Sequence, residues 1–347
     1  MNTAQKATVT LRDVAREAGV SLATASRVLS PGTRNVRASA RERIMEAVDR
    51  LGYRPNLTAQ ATSKGTTRTV AVVVSDMQDP YYSTIAQGVI EGASPAGLIV
   101  TIAGSGHQAD DDLGVVRALR GLSPQMIILA GSRRGDPRSR EALVEELRAY
   151  ETRGGRVIVV GQDELPFDTV ILGHRPGGGQ LATFLADRGY VRPVLLGPPP
   201  GSSNAAAWED GFLEAAKLHS VDVSESDIHR AAPTRDGAYT LVRRLARHGL
   251  GDTDVLVAAS DLMAIGAMSA LRECGIEPGK QIAVAGFDNV VGAEDVTPQL
   301  TTVDLDLTAA GAAAVQLGLE ETASRTVRRV EPTLVPRAST RQAGGRP

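Results

Sequence analysis

Two groups of residues, far apart in the chain, have the types and surroundings from which molecular recognition is built. In the first, Arg27 carries a planar guanidinium that can bridge the O6 and N7 acceptors of one guanine. Thr24 and Ser26 beside it are short hydroxyl donors of the length that reaches phosphate oxygens. In the second group, Asp79, Tyr81, Trp208, Ser260 and Asp288 follow apolar, β-branched runs, and Asp76 and Ser105 share that placement. Asp79 and Asp288 can accept hydrogen bonds from hydroxyl or amine groups, and Trp208 can stack on an aromatic ring or a pyranose face. Each also has a plainer use. Ser260 or Asp261 can cap the helix that holds Met263 to Met268, Asp79 before Pro80 can start a turn and a helix, Trp208 can fill a core, and Asp288 can close a strand end.

Covalent and metal chemistry find no support. The five histidines, His107, His174, His219, His229 and His248, form no HxxxH pair, and neither GxSxG, GxGxxG nor GxxxxGK[ST] occurs. The GSG at 104–106 and the GGG at 177–179 read as turns, and Asp110 to Asp112 read as the acidic start of a helix. Cys274 is the only cysteine, which rules out an intrachain disulfide and a multi-thiolate metal site and suits a reducing compartment. No secretory or membrane segment is read from the sequence. The expectation is a cytoplasmic protein with no catalytic residues, no metal and no cofactor.

The elements that must position these residues differ between the two groups. Residues 10–53 show helical periodicity, with Val14, Ala15 and Ala18 on one face and Ile44, Ala47, Val48 and Leu51 on another. Within Leu11 to Leu29, LRDVAREAGVSLATASRVL, two helical patterns meet at Gly19 and Val20, and Ser21 is placed to cap the second. That is the spacing of a helix-turn-helix, whose second helix enters the major groove. Residues 1–68 hold 12 Lys or Arg against 5 Asp or Glu, while the rest holds 26 against 35. A basic unit on an acidic one points to a polyanionic partner for the first alone.

From Thr69 onward, runs such as Val70–Val74, Leu98–Ile102, Met126–Leu129 and Val157–Val160 alternate with helix-length segments. Val194–Leu196, Val255–Ala258 and Ile282–Ala285 continue the series. Buried parallel strands read this way, so doubly wound α/β lobes are expected, with ligands beyond the carboxyl ends of the strands. The expected fold is a small all-α helix-turn-helix domain (1–57), a hinge (58–68) and a two-lobed α/β domain (69–347). Lobe one is expected at about 69–163 and 304–325, and lobe two at about 164–303 and 326–338.

The runs TLRDVAREAGVSLATASRVL, LGYRPN, VAVVVSDMQDPYY, VLVAASDLMAIGAM, IAVAGFDNV and PQLTTV occur in this order over residues 10–338. Together they resemble the lactose/galactose repressor family. The resemblance implies a DNA-binding transcription regulator, expected to be a repressor. Its second domain would resemble periplasmic binding proteins and take a small-molecule effector between its lobes. It further implies a homodimer on a pseudo-palindromic operator and a hinge helix near 56–64 in the minor groove. The residues implied at the DNA are Ser21, Leu22, Ala23, Thr24, Ser26, Arg27, Tyr53, Asn56 and Ala59. Leu22, Ala23 and Arg27 would face bases, while Thr24, Ser26, Tyr53 and Asn56 would face the backbone. Since Leu22 and Ala23 cannot hydrogen-bond, apolar contact with thymine methyls is expected there.

Thr62 stands where the family carries a leucine wedge, which argues against the usual minor-groove kink. Sugar-binding members place an arginine where Trp208 stands, an asparagine at Ser260 and an aspartate near Gly161. A sugar would lose on the order of 1–3 kcal/mol for each polar group left unmatched, so the expectation is an effector that is more apolar, aromatic or phosphate-free, or no physiological ligand at all. The tail after Val335 lacks a leucine heptad, which favours a dimer. A solute-binding protein or an α/β enzyme with an appended DNA-binding head would use the same two-lobed plan.

Overall fold

The computed structural model describes residues 9–29, 36–54, 67–106, 109–131, 137–321 and 324–341. The chain divides into two compact units, Met1–Thr67 and Arg68–Pro347.

In the first unit, helix α1 (Leu11–Glu17) begins where the Asp13 carboxylate accepts from both the N–H and the hydroxyl of Thr10, at 3.0 and 2.7 Å. This reciprocal bonding satisfies donors that the first helical turn cannot. The turn passes through Gly19 at φ +62°, a conformation that glycine adopts without the Cβ penalty. Helix α2 (Leu22–Leu29) then starts with the Ser21 hydroxyl accepting from Thr24 N–H at 3.1 Å. Helix α3 (Ala38–Leu51) closes on Gly52 in the left-handed region. Val14, Ala18, Ile44, Ala47, Val48 and Tyr53 form the buried core, and Ala25 of α2 is fully buried. The expected hinge helix, with Asn56, Ala59 and Thr62, lies outside the described residues.

The second unit holds two parallel sheets. The first contains β1 (Thr69–Val74), β2 (Ile99–Gly104), β3 (Met126–Ala130), β4 (Arg156–Gly161), β5 (Asp168–Leu172) and β11 (Val327–Val330). Its order is β11-β5-β4-β3-β1-β2, with every pair parallel. Helices α4 (Pro80–Ala93) and α12 (Leu307–Leu319) cover one face, burying Val70, Val72, Met126 and Ile158. The other face, with Val73, Ile127 and Val159, lies under α5 (Ala109–Gly121) and α6 (Pro137–Glu151).

The second sheet is β7-β6-β8-β9, from β6 (Pro193–Gly197), β7 (Ile228–Arg230), β8 (Val255–Ala258) and β9 (Ala283–Ala285), again parallel. Helices α7 (His174–Asp187) and α8 (Ser203–Leu218) pack on one side, and α9 (Arg235–His248) and α10 (Asp261–Glu273) on the other. The short helix α11 (Gly292–Asp295) precedes β10 (Thr302–Asp304), which pairs antiparallel with β12 (Thr333–Val335).

Two sequence expectations change. Residues 168–172 and 327–330 were both expected in lobe two, yet they form β5 and β11 of the first sheet. The GGG at 177–179 is not a turn but lies inside α7, where a Cβ on Gly178 would collide with the Trp208 carbonyl and one on Gly211 with the Arg175 carbonyl. The glycines let α7 and α8 approach backbone to backbone, and that approach fixes where Trp208 sits. Among the described residues, no helix is long and apolar enough to cross a membrane.

Candidate effector cleft and nucleic-acid interface

Helix α2 turns Ala25 inward and leaves Leu22, Ala23, Ser26 and Arg27 exposed, as the 3.6-residue period requires. Leu22 is 43% exposed, so its apolar side chain is open to a partner. The Ser21 and Thr24 hydroxyls lie 2.8 Å apart, so both belong first to the helix cap. Tyr53, expected against the phosphate backbone, is only 8% exposed and packs in the core, which leaves little of it for DNA.

The five residues singled out in the second unit come together. Asp79, Tyr81, Trp208, Ser260 and Asp288 line one cavity of about 100 Å³. Its wall is built by loops and first helical turns beyond the carboxyl ends of β1, β5, β6, β7, β8 and β9, where side chains from several strands converge. Asp76 and Ser105 do not take part: Asp76 accepts from Gln78 N–H at 2.8 Å, and the buried Ser105 hydroxyl donates to the Val74 carbonyl.

Two of the five also do the plainer work. Asp79 caps α4 by accepting from Tyr81 N–H at 3.0 Å, and Ser260 caps α10 by accepting from Met263 N–H at 3.3 Å. Tyr81 is buried, and its hydroxyl accepts from Asn204 Nδ2 at 3.0 Å, a bond that ties the helix after β1 to the helix after β6. Burial pushes the Tyr81 phenol well above its ordinary value, with the neighbouring Tyr82 adding to the rise. Trp208 is 1% exposed, edge-on to Phe287 and tilted against Phe212, so core packing and cavity lining coincide in one ring. Its indole N–H and the Asn204 Oδ1 are both buried with no hydrogen-bond partner among the described residues. Such atoms cost roughly 1–3 kcal/mol each when left unsatisfied.

Asp288 is held at φ +104° with Asn289 following at +54°, a sparsely populated backbone that brings its carboxyl to the cavity wall. It is 7% exposed, and burial, then the nearby Asp261 and Asp79, push its carboxyl well above the carboxylate range. Behind it, Asp261 accepts from Val290 N–H at 2.9 Å, and burial raises it to about 7 despite hydrogen bonds that favour the charged form.

Sequence reasoning missed Tyr82, His174, Ser202, Asn204 and Met263 of the lining. His174 opens α7 directly after β5, stacks on Phe287 with centroids 5.8 Å apart, and has Nδ1 3.1 Å from Gln162 Nε2. Desolvation lowers it to about 4, so it is neutral at pH 7. The signal for Asn204 and Ser202 was present, since both follow a read strand and open a helix. His174 lacked such a signal because β5 had not been read as a strand. Gly161, where the resemblance implies an aspartate in sugar-binding relatives, ends β4 beside Asn204 Oδ1 without a side chain to meet it.

Residues 10–56 match the description "Bacterial regulatory proteins, lacI family", and residues 182–340 match a periplasmic binding protein-like domain. The transcriptional regulator GalS of Salmonella typhimurium is 30% identical over 314 residues, which covers 90% of this chain and 89% of that protein. The chain belongs to the LacI family. CelR of Thermobifida fusca is 27% identical over 340 residues, covering 96% of this chain and 98% of its own. Among solved structures, a Lac repressor dimer bound to operator and the anti-inducer ONPF superposes with a TM-score of 0.82 at 24% identity, over 96% of this chain and 99% of that one. A CelR–cellobiose complex follows at 0.69 and 27%, over 95% and 99%. This LacI-family member is a DNA-binding transcription regulator with an effector-binding domain, and the relatives named are regulators, not enzymes.

Proposed function

We propose that this LacI-family chain is a homodimeric repressor whose operator affinity is set by a small molecule held in the cleft among Asp79, Tyr81, Trp208, Ser260 and Asp288. It works in the cytoplasm. The observation that carries this reading is the cleft itself: two parallel sheets converge on one cavity whose wall contains buried polar atoms with no partner among the described residues. A ligand that satisfies them binds one arrangement of the two lobes better than another, and only such a difference can shift an equilibrium. Tyr81 on one lobe bonded to Asn204 on the other makes that arrangement sensitive to what occupies the space between them.

On the DNA side, Leu22 and Ala23 meet thymine methyls, Arg27 reads a guanine, and Ser21, Thr24 and Ser26 meet the backbone. Asn56 and Ala59 are assigned to the DNA by family resemblance alone. A second copy of the chain is accommodated along the edge strand β2, where Ile99 is 56% exposed and Ile102 and the neighbouring Ile90 of α4 are exposed as well. An open strand edge with apolar side chains is an association surface unless something blunts it.

The direct test is selection of duplexes from random DNA by the full chain, followed by bandshift. Two half-sites about one helical turn apart are expected, with affinity falling roughly a thousandfold or more between 50 and 200 mM salt. No retained duplex at low salt would overturn the reading.

A further inference from the structure

The first turn of α8 belongs to lobe two and reaches lobe one through adjacent residues. Asn204 donates to the Tyr81 hydroxyl of α4 at 3.0 Å, and Ser203 donates its hydroxyl to Glu164 Oε1, in the segment between β4 and β5. The two bonds differ in their relation to the cleft. Tyr81 and Asn204 line the cavity, whereas its lining among the described residues includes neither Ser203 nor Glu164. A ligand can act on the first bond directly. The second acts on the lobes from outside the space that a ligand fills.

Both ends of the Ser203–Glu164 bond are held by their own lobe. On one side, Leu165 and Phe167 are buried in a cluster with Leu143 and Leu147 of α6. Arg140 of α6 donates to the Glu164 carbonyl, and Arg325 pairs with the Asp163 carboxylate and donates to the Phe167 carbonyl. These contacts fix the backbone around Glu164 and leave its side chain to cross to α8. On the other side, Ser202 caps α8 by accepting from Ala205 N–H at 3.3 Å, so the cap does not require Ser203. Helix α8 is in turn seated on α7 by the close backbone approach at Gly178 and Gly211.

A carboxylate beside the first turn of a helix meets the positive end of the helix dipole, and a bond from a hydroxyl to that carboxylate is charge-assisted. An ordinary exposed contact of this kind is worth little, because ordering two mobile ends cancels most of the gain. Here the bond is partly buried, and the fold has already ordered the backbone at both ends.

We infer that Glu164 is a positioning residue for lobe closure: through Ser203 it favours the arrangement in which Tyr81 meets Asn204, and so biases effector and operator affinity without touching either ligand. Its effect on the operator rests on the proposed regulation by lobe arrangement. Its effect on the lobes does not.

The full chain is labelled for double electron–electron resonance at Glu145→Cys of α6 and Lys217→Cys of α8, both exposed, in a Cys274→Ser background. Labelled chain is diluted in unlabelled chain so that distances within one copy are read. Glu164→Ala and Ser203→Ala are each expected to add a second, longer distance and to shift the ratio of the two populations by about tenfold, the equivalent of one charge-assisted bond. The double variant should shift it no further, because both changes delete the same bond. Glu164→Gln keeps an acceptor oxygen without the charge and should fall between, and Ser203→Thr, which keeps the hydroxyl, should retain the parent distribution. On a selected operator duplex, the two alanine variants should change affinity in the same direction, by up to about tenfold. Melting temperature should be nearly unchanged, since Arg140, Asp163 and Arg325 are untouched.

An unchanged distance distribution in both single alanine variants, or a double variant whose shift is the sum of the two, overturns the inference. Longer distances with unchanged operator affinity keep Glu164 as the closure residue and overturn regulation of the operator by lobe arrangement.

Discussion

Arg27 stands on the exposed side of α2 beside Leu22 and Ala23, neither of which can form a hydrogen bond to a base edge. Polar readout by this helix is therefore concentrated in one side chain. Arg27→Ala should cost about 1–3 kcal/mol at the preferred operator and much less on operators altered at the guanine it reads, as measured by competition binding. Equal losses on every sequence would make Arg27 a phosphate contact instead. In the cleft wall and just behind it, His174 and Asp261 respond to pH in opposite senses. The folded chain keeps a proton on Asp261 up to about pH 7, whereas the unfolded chain releases it near 3.8, so stability declines as pH rises across that interval. His174 stays neutral down to about 4 while the unfolded imidazole protonates near 6.5, so its contribution is complete above 6.5 and is lost as pH falls. Between pH 4 and 6.5 the two oppose each other. Asp261→Asn removes one of them, and its melting temperature should drop more steeply on acidification than that of the parent chain. Parallel melting profiles would refute the assignment.

Helices α7 and α8 are joined at glycines, and the join has a consequence for the cleft. Gly178 faces the Trp208 carbonyl so closely that any Cβ must push α8 away. Gly178→Ala is expected to destabilise the second unit by about 1–3 kcal/mol, the usual cost of overpacking, and to shift the emission of Trp208 as its ring leaves the contact with Phe287. Gly249→Ala offers a comparison: Gly249 sits at φ +90° with nothing near its missing Cβ, so it costs backbone strain without moving the tryptophan. At the level of strands, β2 is bonded on one side only, to β1, among the described residues. Ile99→Lys places a charge on this open edge and, if the proposed dimer forms there, should convert it to monomer in sedimentation velocity, with melting temperature nearly unchanged. A dimer that persists would move the interface elsewhere.

For the whole molecule, regulation requires the second unit to have two states that differ in ligand affinity. Among the described residues, Tyr81 with Asn204 and Ser203 with Glu164 are hydrogen bonds that run from one lobe to the other, while each sheet is sealed on both faces by helices. Lobes that are each sealed by helices transmit occupancy of a cleft between them as a change of lobe angle rather than as local softening. The chain also crosses between lobes several times: β5 and β11 belong to the first sheet, and α7, which follows β5, belongs to the second. Closure of the cleft therefore pulls on both sheets at once.

The first unit was legible because its determinants are local. Thr10 with Asp13, Gly19, Ser21 and Gly52 specify caps and turns within a few residues of themselves, and the apolar period fixes which face of α2 is left for DNA. The rule that ligands gather beyond the carboxyl ends of parallel strands likewise singles out Asp79, Tyr81, Trp208, Ser260 and Asp288, which line one cavity, along with Asp76 and Ser105, which do not. Other features depended on contacts between distant residues. Strand β11, VRRV, carries arginines and pairs with a strand more than 150 residues earlier, so no local pattern announces it or the lobe to which β5 belongs. Without β5, His174 had no strand end to mark it. Tyr53 could not be moved from the DNA to the core by sequence alone, since its ring is claimed by α1 and α3 only once they pack. The residue types in the cleft were set by sequence. That Asp288 lies buried with Asp261 and Asp79 as electrostatic neighbours was decided by the fold, because charge balance is a property of neighbours in space.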